Sequence, residues 1–158
     1  MVSRRLRSHE EIQYSRITTY LCVGTNLCCT VHAQALKKLG VSVDIDLEYQ
    51  HADALEVSRM EMTLFLPTRD GHAPTQSQLV AGVALMEAAL AAQKRVYVHC
   101  KNGHGRAPTL VAAYLMARGM SPEEAVAFIK RRRSVVHLNR EQWAALRKFA
   151  HYLRTQQP

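Results

Sequence analysis

The sequence predicts an α/β protein in which helices flank a small, mainly parallel central sheet. Short runs rich in β-branched and aromatic residues alternate with amphipathic helical segments. The last of these runs leads through a glycine-containing loop directly into a helix. No linker or composition shift divides the 158 residues, so we expect one domain over residues 17–158, preceded by a basic N-terminal tail over residues 1–16.

The first half of the chain predicts strands around one helix. Residues 17–23 have the β-branched and aromatic content of a strand. Residues 30–39 carry apolar side chains at helical spacing, and Gly40 is a natural C-cap. Residues 62–66 form a further strand, which a proline ends.

Residues 41–47 alternate like a strand with one polar face. Asp44 and Asp46 lie on that face, and we expect them to be solvated carboxylates. The two carboxylates sit two apart on one strand, and no metal site is predicted there.

The second half is mostly helical. A helix from about residue 75 to residue 93 has an apolar stripe that indicates core packing. Ser121 and Asn139 each begin a cap-and-reach pattern for another helix, and Gln142 belongs to the second of these caps. The basic run 130–133 is interpreted as a solvated helix end.

The loop between the last strand and its helix is the candidate functional site. An apolar strand over residues 96–98 delivers Cys100 at its carboxyl end, where open α/β sheets place their ligands. Gly103 and Gly105 allow close backbone approach, so the loop N–H groups and the helix N-terminus should form an anion site that favours a thiolate. Arg106 can grip two oxygens of a bound oxyanion.

The pattern His99-Cys100, five residues and Arg106, followed by a helix, resembles the signature of the cysteine-dependent protein tyrosine phosphatase superfamily. Chain length and loop position are most similar to its compact dual-specificity branch, and the resemblance covers residues 17–153. It implies a dual-specificity phosphatase fold, a phosphocysteine intermediate with Cys100 as nucleophile, and a substrate-binding loop. That loop comprises His99, Lys101, Asn102, Gly103, His104, Gly105 and Arg106. The alternative is a structural cysteine before a loop-capping arginine.

Asp70 is the predicted general acid. It lies in the polar, Gly/Pro-punctuated loop 67–74, which resembles the general-acid loop of the family in position and character. After giving up its proton, Asp70 would act as the base for the hydrolytic water. The alternatives are that Asp70 is only a turn residue, or that Asp53 or Glu56 is the acid.

Two neighbours of the nucleophile refine this hypothesis. His99 should turn inward, bond to the loop backbone and tune the thiolate, without a metal role. The family usually has Ser or Thr after the signature arginine, to help the sulfur leave, whereas this chain has Ala107. We therefore predict a slow second step. Thr109 is expected to point elsewhere.

The substrate stays open at this level. Lys101 and His104 make the loop more basic than phosphotyrosine requires, and Arg69 and His72 add charge from the acid loop. Phosphoinositide phosphatases and phosphatidylglycerophosphate phosphatases resemble this loop in part. A protein tyrosine or dual-specificity phosphatase is the first hypothesis, and a lipid, inositol or phosphoglycan phosphatase is the second. A non-catalytic phospho-binding module is the third.

Composition limits the partners. Lys and Arg number 21 against 13 Asp and Glu, a formal net charge of +8 that favours a phosphorylated protein or another anionic phospho-substrate. RNA 5′-triphosphatases share the signature, but no interleaved aromatic residues predict base stacking, so no stable nucleic acid partner is expected. Peripheral contact with an anionic membrane stays open. We expect that the protein needs no cofactor, that its cysteines are free thiols, and that it is a cytoplasmic monomer.

Overall fold

The computed structural model describes residues 11–49 and 60–157. Five strands and five helices follow in the order β1 Tyr14–Arg16, β2 Leu21–Gly24, α1 Thr30–Lys38, β3 Val41–Asp46, β4 Met62–Phe65, α2 Gln76–Ala91, β5 Arg95–His99, α3 Arg106–Ala117, α4 Pro122–Arg132 and α5 Arg140–Thr155. The predicted α/β class is therefore confirmed, and most predicted elements agree with the observed ones, except that only the second half of the strand predicted over residues 17–23 lies in β2, because residues 17–20 form a bend.

The sheet has the strand order β1-β2-β5-β3-β4. β2, β5, β3 and β4 run parallel, and only the edge strand β1 is antiparallel to its neighbour. The central strand β5 thus lies between β2 and β3. Because parallel strands end at the same edge, the loops after β5 and β4 meet above one rim of the sheet.

Helices cover both faces of the sheet. The larger core joins alternate residues of the central strands to α2, α3, α4 and α5, and includes Cys100. The smaller core lies under α1 and contains Cys22 and Tyr97. Thus Cys22 and Cys100, both buried, pack in separate cores. Among the described residues, no helix has the length and apolar character that crossing a bilayer requires.

Two expectations differ from the structure. Residues 14–16, which the sequence places in the tail, form β1, because their backbone pairs with β2 at the sheet edge. The rest of the tail up to residue 10 lies outside the described residues. Asp44 and Asp46 are not solvated but are 0% and 2% exposed. The reason is that helices pack on both faces of the sheet, so the inner strand β3 has no solvated face.

Candidate active site

The site is a pocket at the carboxyl end of β5. This strand ends at His99 and α3 begins at Arg106, so the intervening loop turns sharply from strand to helix. Cys100 is only 2% exposed and lines a cavity of about 220 Å³. The other lining residues are Asp70, Gly71, Asn102, His104, Gly105, Arg106, His137, Asn139 and Gln142.

The loop carbonyls are bonded away from the pocket. Each carbonyl of residues 101–105 accepts a hydrogen bond from a group outside the loop. The donors are Asn26 N–H to Lys101, Arg133 to Asn102 and to Gly103, His137 N–H to His104, and the Thr109 N–H and hydroxyl to Gly105. No N–H group of residues 101–105 donates to another described residue. The loop therefore keeps its N–H groups for an anion. The Thr109 hydroxyl donates to Gly105 O at 2.7 Å, so this side chain bonds to the loop backbone.

Gly103 is required by the loop conformation. Its φ is +66°, in the left-handed region that favours glycine. A Cβ there would lie 2.7 Å from the Gly24 carbonyl oxygen and 2.9 Å from Arg133 Nη2. Side chains other than hydrogen would push the loop away from the sheet and from the guanidinium that holds it.

Arg106 connects the loop of residues 100–105 to the acid loop, residues 67–74, which carries Asp70. Its guanidinium is 5% exposed, donates from Nη1 to the Thr68 carbonyl at 2.8 Å, and lies with Nη2 3.2 Å from Asp70 Oδ1. The Asp70 side chain is 84% exposed at the mouth of the pocket. Thus the three residues predicted to be catalytic meet in one place, with Cys100 at the floor, Arg106 at the wall and Asp70 at the rim.

The acid loop is held by the start of α5. Asn139 Nδ2 donates to Gly71 O at 2.6 Å, and Gln142 Nε2 donates to His72 O at 3.1 Å. The Glu141 carboxylate accepts a hydrogen bond from the Ala73 N–H at 3.1 Å and pairs with His72 Nδ1 at 3.2 Å. Asn139 and Gln142 also form the predicted capping box of α5. These caps therefore position Asp70 as well.

Arg133 supports the catalytic loop from behind. It follows α4, is only 7% exposed, and donates from Nη2 to Asn102 O and from Nε to Gly103 O, both at 2.9 Å. Burial lowers its pKa from the ordinary value, while the neighbouring Tyr97 and Cys100 oppose that change. The prediction that the run 130–133 is simply solvated is wrong for this last residue, because its guanidinium replaces water on two loop carbonyls.

His99 lies behind the loop, against the carboxylates of β3. Its ring is fully buried, with Nε2 3.1 Å from Asp44 Oδ1 and Nδ1 3.8 Å from Asp46 Oδ1. The strand register explains this proximity, since Asp46 is paired with His99 in the β3–β5 ladder. The ring also stacks on Tyr97 at 5.4 Å. His99 does not line the pocket, so its predicted contact with substrate is corrected to a contact with the supporting strand.

The remaining predicted binding residues divide between two surfaces. Asn102, His104, Gly105 and Arg106 line the catalytic pocket. Lys101 is exposed and lines a neighbouring groove of about 460 Å³. Gly103 is buried and outside both lining sets, and it acts through its backbone conformation. The rival acids at positions 53 and 56 lie outside the described residues.

His104 adds less positive charge to the loop than an exposed histidine would, because its pKa is lowered. Burial, followed by the charges of Arg133 and His137, holds its pKa below the ordinary value of 6.5. The ring of His137 lies 5.6 Å from that of His104 and also lines the pocket. Sequence reasoning missed His137, because it lies in the segment between α4 and α5, where no local motif marks it.

Comparisons with known proteins agree with this geometry. Residues 21–151 match the family model for the dual specificity phosphatase catalytic domain. Human phosphatidylglycerophosphatase and protein-tyrosine phosphatase 1 is 35% identical over 118 residues, which cover 74% of this chain and 49% of that protein. Human dual specificity phosphatase 28 is 39% identical over 144 residues, which cover 89% of this chain and 80% of that protein. The chain thus spans about half the length of the first of these relatives.

A solved structure has the same fold. The crystal structure of PTPMT1 in complex with PI(5)P superposes with a TM-score of 0.82 at 27% identity, covering 90% of this chain and 97% of that one.

Proposed function

This chain belongs to the dual specificity phosphatase family, and from that premise we propose that it hydrolyses phosphomonoesters through a phosphocysteine intermediate. One observation carries the proposal. A cysteine sulfur, a set of unengaged loop N–H groups and an arginine paired with an exposed aspartate converge on a single pocket. A non-catalytic binding module would need the cradle but would have no use for Asp70 at the rim.

The first step transfers the phosphoryl group to sulfur. The Cys100 thiolate attacks phosphorus, the S–P bond forms, and the bond from phosphorus to the leaving oxygen breaks. The loop N–H groups and the Arg106 fork hold the three remaining phosphoryl oxygens as charge develops on them. Asp70, in its protonated form, gives its proton to the leaving oxygen.

The second step returns the enzyme to its starting state. A water molecule attacks phosphorus, the S–P bond breaks, and the Asp70 carboxylate takes the proton from the water. The side chain after Arg106 is the methyl of Ala107, which is fully buried in α3 and offers the departing sulfur no hydrogen bond. Phosphocysteine should therefore accumulate during turnover.

The test is phosphate release from para-nitrophenyl phosphate by the wild type beside Cys100→Ser. We expect the variant to be inactive, because a hydroxyl in this loop is a much weaker nucleophile than a thiolate. Mass spectrometry of acid-quenched wild type should detect one added phosphoryl group. Equal activity in the two proteins would end the assignment of Cys100 as the nucleophile.

A second candidate concerns substrates with a further anionic group, such as a phosphoinositide, phosphatidylglycerophosphate or a phosphoglycan. The groove beside the pocket shares Asp70 and Arg106 with it and adds the cations Lys101 and Arg69 as well as the buried Glu48. The guanidinium of Arg69 lies 5.0 Å from the ring centroid of Tyr49, which lines the same groove. A substrate phosphate in the pocket would thus place a second anionic group near two cations.

Specificity ratios separate the two substrate classes. Lys101→Gln should lower kcat/KM for phosphatidylglycerophosphate about tenfold more than for a phosphotyrosine peptide, because a bond to a charged group contributes about 1.5–3 kcal/mol. The matched control is Lys94→Gln, an exposed lysine paired with Glu61 outside this groove. Parallel losses on both substrates would favour the protein phosphatase. Cytoplasmic location, peripheral membrane contact and a monomeric state stay predictions.

A further inference from the structure

A cluster of soft donor atoms lies at the start of α1, away from the residues assigned to catalysis. One ligand atom each from Cys28, Cys29 and His32 lies within 4.8 Å of the other two. Neither cysteine takes part in a disulfide, and the two are adjacent in the sequence. This separation suits donors that surround one ion, since zinc binds sulfur at about 2.3 Å and imidazole nitrogen at about 2.0–2.1 Å.

The local backbone orders these three donors. Cys29 is the N-cap of the nine-residue helix α1, with an extended φ of −165°. The His32 N–H donates to the Cys29 carbonyl at 3.1 Å, so the first turn of α1 holds His32 next to the two cysteines. The Cys28 N–H donates to Nδ1 of His32 at 3.3 Å. That nitrogen therefore carries a lone pair, which a metal ion could take in place of this long hydrogen bond.

Exposure makes the cluster accessible from one side. Cys28 is exposed and Cys29 is half-buried, whereas His32 is only 7% exposed. The buried imidazole thus forms the base of the cluster and the thiols its outer wall. Three protein donors with an open side leave a fourth position for water or another ligand, the arrangement of an open zinc site.

From this juxtaposition we propose that Cys28, Cys29 and His32 form a binding site for a thiophilic divalent cation, with Zn²⁺ as the ion that fits best. Two thiolates and one imidazole are soft and borderline donors, which select zinc and similar ions over Mg²⁺ and Ca²⁺. Binding releases the remaining thiol protons to solvent and involves no change of oxidation state. The proposal is independent of the phosphatase assignment.

The site also has a route to the catalytic loop. The segment between β2 and the cluster bonds to that loop through the Asn26 N–H, which donates to the Lys101 carbonyl at 3.3 Å. An ion that orders the start of α1 would therefore order one of the contacts behind Cys100.

The experiment uses the full chain carrying Cys100→Ser, so that the catalytic thiolate cannot compete for metal. Titration with Co²⁺ under reducing, oxygen-free conditions should give one equivalent bound, with sulfur-to-cobalt charge-transfer absorption and the visible bands of tetrahedral cobalt. Zn²⁺ should displace it. Adding Cys28→Ser and Cys29→Ser should abolish the charge-transfer band and weaken Zn²⁺ binding at least about 100-fold, since losing even an outer-shell partner costs about 10–100-fold.

A matched control is Cys22→Ala. This variant removes the buried thiol of β2, which packs in the smaller core and is not one of the three proposed ligands. This variant should keep the band and the affinity. His32→Gln should keep both thiolates in the spectrum but weaken binding, and circular dichroism would verify that each variant is folded. Tight binding that survives loss of both Cys28 and Cys29 would overturn the proposal, as would the absence of a charge-transfer band in the parent protein at millimolar Co²⁺.

Discussion

Replacing Arg133 with lysine tests how the catalytic loop is held. The arginine makes two charge-assisted hydrogen bonds, to the Asn102 and Gly103 carbonyls, both at 2.9 Å. A lysine ammonium is a single point donor and can keep only one of them in good geometry. Each bond to a charged group contributes about 1.5–3 kcal/mol, so Arg133→Lys should lower the free energy of unfolding by about that amount.

The same loss should appear in catalysis. If the missing bond disorders the loop, about 1.4 kcal/mol corresponds to a tenfold fall in kcat/KM, so we expect a fall of about 10- to 100-fold. Urea denaturation measures the stability, and steady-state hydrolysis of para-nitrophenyl phosphate measures kcat/KM. The inhibition constant for vanadate should increase in parallel, because the same loop N–H groups bind that oxyanion.

Arg132→Lys is the matched control. Its guanidinium is exposed and lies 3.7 Å from the Phe128 ring centroid, on the surface of α4. Such a surface change should alter stability by no more than about 0.5 kcal/mol and leave kcat/KM unchanged. If Arg133→Lys behaves like Arg132→Lys in all three measurements, the guanidinium does not hold the loop and the reasoning fails.

Four further outcomes are expected. Asp70→Asn should lower kcat on an alkyl phosphate by about 10²–10⁴ while vanadate still binds, and a near-normal rate would mean that another acid is at work. Rapid quench should detect a burst of leaving group in the wild type that Ala107→Ser diminishes, whereas a wild type without a burst would contradict slow dephosphorylation. Gly103→Ala should destabilise the protein by more than Gly71→Ala, because both have positive φ but a Cβ at Gly71 would meet no heavy atom within 4 Å; equal losses would refute the contact argument. Burial is the main cause that lowers the pKa of His104. As the pH decreases below 6.5, the unfolded chain therefore binds more protons than the folded chain, and the free energy of unfolding should decrease. His104→Gln should make that decrease smaller.

The chemistry of the site was predictable because it is encoded locally. Cys100, Arg106 and the two loop glycines lie within seven residues of one another, and a strand before and a helix after give that spacing its meaning. Asp70 could be proposed because its polar loop follows a predicted strand and resembles the general-acid loop of the family, and β4 ends at the same rim of the sheet as β5. Motif and loop resemblance were therefore enough to predict which residues meet in the pocket.

The supporting residues were not predictable in this way. Alternation along β3 indicated a polar, solvated face, but helices pack on both faces of the sheet, and that packing is not visible in a single stretch of sequence. Asp44 and Asp46 were therefore misplaced. Arg133 and His137 contact the loop although they lie about 30 positions from it in the sequence. Hydrophobic periodicity does not predict contacts of this kind.

The bonds from the start of α5 to the acid loop have a consequence for biosynthesis. Residues 139–142 contact residues 71–73 across about seventy positions of the chain. A nascent chain released from the ribosome tunnel only as far as residue 130 would already contain Cys100, Arg106 and Asp70, but neither Arg133 nor the α5 caps. At about 5–20 residues per second, about 2 to 8 seconds separate the emergence of Cys100 from the emergence of Arg133 and the α5 caps. During that interval Cys100 is present without the contacts that hold its loop.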